Sequence, residues 1–387
     1  MLVQFDLSIL KEAVKNGSKM ANKVRATPLY LSIDNDTLSV KVFDADLMTQ
    51  IYSCEIQPSG CKLVLAFDVN ILSPLVNGAK AKLFTIDAFD ESSKVVSVTL
   101  DGVSFKLHSL DPSEFEEPSI HVPENTKPLV FRNGELRNIL KRLKPFLSKD
   151  EYRLSMRCVN MEIKDGVIKF CATDSFRLTT YESKVKYEDE LNLNIPEVAI
   201  DVLMSLGDEI AMYFVKDNEN AVRKVVAQSE NITIEFFGIA EKFPNYKQLL
   251  PDEIIWKAQY DAHNITEKID SMNKVFNMYS PGSIQKEAER AAAKLIFDIH
   301  QFDTKLLSVG SSEEVMAEAT IMNEVETTKE RICINPFHFI SIAKSIRSST
   351  INNSFIIGKT RNHANLVFVS SDAEPEWLYV SVLKREQ

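Results

Sequence analysis

Two short segments each occur three times in this chain, at nearly regular intervals. The first runs over Val3–Val14 (VQFDLSILKEAV), Leu129–Leu140 (LVFRNGELRNIL) and Ala258–Ile269 (AQYDAHNITEKI). The second runs over Leu63–Leu72 (LVLAFDVNIL), Leu193–Leu203 (LNIPEVAIDVL) and Ile332–Ile342 (ICINPFHFISI). Each copy reads as a short apolar strand leading into an amphipathic helix. Phe5 to Phe131 spans 126 positions and Phe131 to Tyr260 spans 129; Phe67 to Ile195 spans 128 and Ile195 to Ile334 spans 139. A repeat this long is large enough to hold its own core, so the chain reads as three repeated domains. The extra residues of the last interval fall between Tyr260 and Ile334. Ser280–Ala293 is the candidate, a surface loop opening into a short helical stretch.

Within each repeat, strands follow the helices. Val95–Leu100 and Val103–His108 flank Asp101-Gly102, a strong hairpin signal. Leu29–Ile33 and Leu38–Val42 flank a short polar turn, Val222–Gln228 and Ile232–Phe237 pair in the middle repeat, and Leu366–Ser370 and Leu378–Val382 in the third. Strand-rich repeats with two segregated helices each imply an α+β fold with antiparallel sheets. Segments rich in proline and acidic residues near Glu116–Lys127 and Pro251–Glu253 set boundaries at 1–122, 127–251 and 252–387.

Composition narrows the class. At 387 residues, with 44% apolar and 26% charged residues, the chain reads as ordinary globular protein of two to three domains. No apolar run approaches the ~18 residues of a membrane span. The N-terminus lacks a basic region, apolar stretch and cleavage site in sequence, which implies a cytoplasmic protein. Cys54, Cys61, Cys158, Cys171 and Cys333 are odd in number and contain no C-x-x-C, so they read as reduced thiols.

The net charge of −10 argues against general adhesion to nucleic acid, yet the basic residues gather on helices. Lys11, Lys15, Lys19 and Lys23 recur every four positions, with Arg25 just after; Lys80 and Lys82 follow the second helix. Arg137, Lys141, Arg142, Lys144 and Lys149 mark the first helix of the middle repeat, and Lys344 and Arg347 the second helix of the third. One such helix alone reads as a solvated face. Its recurrence across repeats points to a polyanion met by one surface. The segment Pro196–Glu209 disagrees: it carries Glu197, Asp201, Asp208 and Glu209 and no base.

Motifs for chemistry are missing. There is no phosphate-binding glycine loop, no H-E-x-x-H and no G-x-S-x-G, and the six histidines have no metal-ligand spacing. An enzyme using carboxylates between repeats remains a formal alternative with no residues to name, as does a plain repeat scaffold for protein contacts.

Two motifs in the middle repeat carry a resemblance. Ala172–Leu178 reads ATDSFRL and Phe243–Pro251 reads FPNYKQLLP. With the triple repeat, and with Tyr152–Met156 (YRLSM) ahead of the first motif, the chain resembles the beta sliding clamps, the processivity subunits of bacterial DNA polymerase III. The resemblance covers essentially the whole chain. It implies a head-to-tail homodimer of three clamp domains per subunit, closing a six-domain ring around duplex DNA. It also implies a non-enzymatic role without cofactor or metal: tethering the polymerase alpha subunit, the clamp loader and other clients, in a cytoplasmic, nucleoid-associated setting. Basic helices would then face the hole and meet phosphates without reading bases.

Carried over by position, the resemblance implies a client-peptide pocket of Met156, Thr173, Ser175, Phe176, Arg177, Leu178, Pro244 and Leu249, with Val380, Val382, Leu383 and Arg385 from the C-terminal strand. An apolar cleft with few polar groups suits peptides with Leu and Phe anchors. For ring closure it implies Phe105 and Leu107 on an edge strand of the first domain, and Val275 and Phe276 on a helix of the third. The chain departs from the family at Ser175-Phe176, where Phe lacks the hydrogen-bonding edge of His or Tyr. It departs again in its tail, Val382–Gln387 (VLKREQ), which lacks the family proline. Those departures and the acidic helix leave open an accessory clamp that binds clients without encircling DNA.

Overall fold

A computed structural model describes residues 3–21, 26–44, 47–115, 117–124, 126–217, 222–279, 292–309, 315–325, 329–347, 354–361, 365–371 and 374–384. Lys23, Arg25, Arg385 and most of the 280–293 segment lie outside them, as do the side chains of Val275, Phe276 and Arg347. The chain forms two compact units, residues 1–140 with 191–240 and residues 141–190 with 241–387.

In the first unit, the strands Val3–Asp6, Leu83–Asp90, Val95–Leu100 and Val103–His108 form a four-stranded antiparallel sheet in that order. An eight-stranded antiparallel sheet runs Lys62–Asp68, Pro28–Asp34, Thr37–Asp44, Met48–Glu55, Ile232–Phe237, Val222–Ser229, Ile210–Lys216 and Leu129–Phe131. Its central joint pairs the fourth strand of the first repeat with the last strand of the middle repeat, Tyr52 opposite Ile232 and Met48 opposite Phe236.

The second unit repeats this joint. Its strands Cys158–Lys164, Val167–Thr173, Arg177–Lys186, Trp377–Val382, Leu366–Ser370, Ser354–Thr360, Ile254–Asp261 and Glu324–Val325 are neighbours in that order. Arg177–Lys186, the fourth strand of the middle repeat, pairs antiparallel with Trp377–Val382, the last strand of the third. Val315–Met322, Asp303–Val309, Lys294–His300 and Lys329–Ile334 form a separate four-stranded sheet.

Among the described residues, six helices pack on these sheets: α1 (Leu7–Gly17), α2 (Val69–Gly78), α3 (Glu135–Leu143), α4 (Glu197–Leu203), α5 (Ala262–Tyr279) and α6 (Pro336–Arg347). The repeated aromatic-Asp pair starts several of them. Asp6 accepts from the Ser8 amide at 2.7 Å, Asp68 from Asn70 at 3.0 Å and Asp261 from Asn264 at 2.7 Å. Each meets an amide that the helix leaves without a partner. The predicted hairpins form as read, with Asp101 and Gly102 both at positive φ, the backbone that a two-residue turn between twisted strands requires.

The helix ends differ from the sequence reading. α1 stops at Gly17, where a Cβ would come within 2.8 Å of Val42 Cγ1. Lys19 therefore follows the helix, and the lysines do not continue as one helical face. α3 stops at Leu143, because Pro145 disfavours helical backbone just before it; Lys144 sits in a single 3-10 turn and Lys149 in a loop. α4 ends at Leu203, so Asp208 and Glu209 lie beyond it.

Candidate functional site

The Arg177–Lys186 and Trp377–Val382 strands bring most of the motif-derived pocket together. Leu178 stands opposite Val380 and Arg177 opposite Ser381, and the Val382 amide donates to the Phe176 carbonyl at 2.9 Å. Side chains alternate along a strand, so Leu178, Val380 and Val382 share one sheet face. Leu178 and Val380 are buried, whereas Phe176 is 57% and Val382 39% exposed. The seam therefore has a buried apolar pair with exposed apolar side chains near it.

The turn before the seam is held by its own polar groups. Thr173 Oγ1 donates to the Arg177 carbonyl, and Asp174 accepts from the Phe176 and Arg177 amides, both at 3.0 Å. Ser175 takes φ +77°, a region where glycine costs nothing and other residues are strained. Its hydroxyl lies 3.1 Å from Met156 Sδ and accepts from Arg153 at 2.9 Å. Arg177 points to the reverse face. It pairs with Asp174 at 2.8 Å, donates to the Pro145 carbonyl at 2.7 Å and lies over the Phe146 ring at 5.0 Å.

Pro244 and Leu249 come from the second motif. Leu249 is 36% exposed in a 3-10 turn, and Lys247 of that turn ties it to the Cys158–Lys164 strand through Glu162 at 2.7 Å. Leu383 bridges to Ile334 and donates its amide to Asn365, so it continues the last strand past its regular pairing. A groove of about 1080 Å³ opens further along these strands, where Thr180 and Leu378 continue the pocket face beside Tyr246 and Leu250. Three of its lysines are answered locally, in the pairs Lys169–Glu182, Lys184–Glu376 and Lys247–Glu162.

His338, near the start of α6, was not legible in the sequence. Its ring centroid lies 5.5 Å from that of Phe176, and its carbonyl is within 3.5 Å of Arg177 Nη1. Burial, reinforced by the Arg177 charge, pushes its pKa down to about 4. At neutral pH an uncharged imidazole therefore packs against Phe176. A lone histidine carries no spacing signal, and only the fold brings it to the turn.

The basic residues divide. Lys15, Lys80, Lys82, Lys141 and Lys149 are exposed. Lys344 is exposed and pairs with Asp270 at 2.8 Å. Lys19 donates to Asn16 and to the Asp201 carbonyl, and Lys11 to the Ala79 carbonyl. Arg137 pairs with Asp208 and Arg132 with Glu209, so part of the acidic run answers these arginines. Arg142 is turned inward onto Glu374 and Tyr379 rather than outward to a phosphate. Phe105 and Leu107 are half-buried on Val103–His108, the end strand of its sheet.

No family model matches the chain. Among curated proteins, the beta sliding clamp of Halalkalibacterium halodurans is 24% identical over 281 residues, 67% of this chain and 70% of that protein. That of Mycoplasmopsis pulmonis is 20% identical over 231 residues, 57% of this chain and 60% of that protein. The crystal structure of the DNA polymerase III beta subunit from Thermotoga maritima matches over the full length of both chains, with TM-score 0.82 and 13% identity. The Borrelia burgdorferi beta subunit, solved with a natural product, matches over the full length of both with TM-score 0.83 and 14% identity. The chain has the sliding-clamp fold. The ATDSFRL and FPNYKQLLP motifs fall in one unit, together with the C-terminal strand. Among the described residues no three His, Cys, Asp or Glu side chains could hold a metal ion, and no helix is long and apolar enough to cross a membrane.

Proposed function

We propose that this protein is a DNA sliding clamp, two copies of which close head to tail around duplex DNA and tether a replicative polymerase and other clients. The observation that carries the reading is a joint that, among the described residues, is made twice and left open once. The fourth strand of repeat one pairs with the last strand of repeat two, and the fourth strand of repeat two with the last strand of repeat three. The fourth strand of repeat three, Val315–Met322, and the last strand of repeat one, Val103–His108, each end a four-stranded sheet. A free sheet edge is a template for another strand. A second copy supplies the matching edge, and two copies make two such joints and complete a closed ring. Phe105 and Leu107 belong to this interface, with Val275 and Phe276 opposite.

Each subunit then contributes three domains, 1–122, 127–251 and 252–387. Exposed Lys15, Lys80, Lys82, Lys141, Lys149 and Lys344, with Lys19, face the duplex and hold it without sequence preference. The face around Leu178, Val380 and exposed Phe176 takes an apolar client peptide, and the tethered polymerase gains a high effective concentration at its template. The role is mechanical and needs no cofactor. The named relatives and structural neighbours are beta sliding clamps and DNA polymerase III beta subunits, which favours this reading over an accessory one.

The test is topological. After incubation with a clamp loader and nicked circular plasmid, the protein is expected to stay with the circle through a high-salt gel-filtration column and to run off once the plasmid is linearised. Binding to short linear duplex that survives high salt contradicts the proposal.

A further inference from the structure

The reverse face of the pocket seam holds a polar cluster that neither client nor DNA binding uses. Arg142, near the end of α3, donates from Nη1 and Nη2 to the two carboxylate oxygens of Glu374, at 2.7 and 3.0 Å. Nη2 also donates to the Tyr379 hydroxyl at 2.8 Å, and Nε to Ser345 Oγ at 3.3 Å. The guanidinium lies 4.0 Å over the Trp377 ring, and Ser345 and Tyr379 hydroxyls are 2.8 Å apart. Tyr379 in turn packs on Phe146, the ring beneath Arg177. All three guanidinium nitrogens are engaged, and the Arg142 and Glu374 side chains are only 12% and 18% exposed.

Two of these partners, Trp377 and Tyr379, belong to the strand that carries Val380 and Val382 into the pocket. Arg142 comes from the middle repeat and the residues it grips come from the third. A buried ion pair adds little net stability over well-packed apolar residues, but a planar fork fixes direction and distance. Accepting the pocket reading above, we propose that Arg142 is a positioning residue: gripping Glu374, Trp377 and Tyr379, it fixes the last strand of the third repeat against the Arg177–Lys186 strand and so sets the shape of the client pocket on the opposite face.

The test uses the full chain and a double variant, Arg142→Met with Glu374→Met, which removes the grip without stranding a buried charge. A fluorescein-labelled peptide with Leu and Phe anchors is the probe. The double variant is expected to keep the parent's thermal midpoint and solution mass while binding the peptide about tenfold more weakly, the scale of one good interface anchor. Arg142→Lys, which keeps the charge but loses the fork, is expected not to restore affinity. Parent-like affinity in the double variant overturns the proposal. Hydrogen exchange at the amides of 377–382 gives a reading independent of any client: about tenfold faster exchange in the double variant is expected, and unchanged exchange overturns the proposal. If the parent binds no peptide, the pocket reading fails and exchange alone decides the positioning role. The salt slope of DNA binding is a third reading. It is expected to be unchanged by losing Arg142, whereas a fall of about one unit assigns the side chain to a phosphate and overturns the inward role.

Discussion

Leu178 stands opposite Val380 across a seam built from two different thirds of the sequence. Neither residue makes that seam alone. The middle repeat brings the turn and one strand, the third repeat brings the other strand, and the apolar face exists only where they pair.

Phe176 is 57% exposed at the turn that leads into the Arg177–Lys186 strand, so its truncation removes contact area without disturbing the core. Phe176→Ala is expected to weaken binding of a Leu/Phe-anchored peptide by about tenfold, roughly the worth of one aromatic anchor, with the thermal midpoint unchanged. Fluorescence anisotropy against a melting curve separates the two. A large drop in stability instead would assign Phe176 to the core.

Lys141 is exposed near the end of α3, one residue before the inward-turned Arg142. Lys141→Glu is expected to lower the slope of log affinity against log salt on duplex DNA by about one unit or more, and to leave peptide binding alone. Equal slopes for parent and variant would place Lys141 away from the phosphates.

His338 ties stability to pH. Its folded pKa, about 4, lies below the ordinary 6.5 because burial and the Arg177 charge oppose protonation. Below pH 6.5 the unfolded chain takes up the proton while the folded chain does not until about pH 4. The stability this site contributes is therefore complete above 6.5 and declines as pH falls toward 4. Urea unfolding between pH 7.5 and 4.5 is expected to show His338→Phe losing less stability than the parent across that window. Parallel curves would mean that His338 is solvated.

The architecture was legible where one kind of residue repeats at one kind of place. The aromatic-Asp starts of α1, α2 and α5, the Asp101-Gly102 turn and the paired strand runs are local signals, and local physics produced them. The residues that meet at the Leu178–Val380 seam were singled out only through the two motifs. What could not be read is whatever depends on direction. Lys11, Lys19 and Arg142 look alike in a helical stripe, but Gly17 ends α1 before Lys19, and Trp377 and Glu374 draw Arg142 inward. The acidic Asp208 and Glu209 looked like a contradiction to a basic surface and are in fact partners of Arg137 and Arg132. Partners far apart in sequence decide each of these cases.

The solution mass tests the open joint most directly, by size-exclusion chromatography with light scattering over a dilution series. The account predicts twice 43.8 kDa for the parent, holding on dilution, and 43.8 kDa for a Phe105→Glu/Leu107→Glu variant, whose charges oppose strand pairing at that edge. A parent that stays at 43.8 kDa at every concentration, or a variant that remains a dimer, contradicts it.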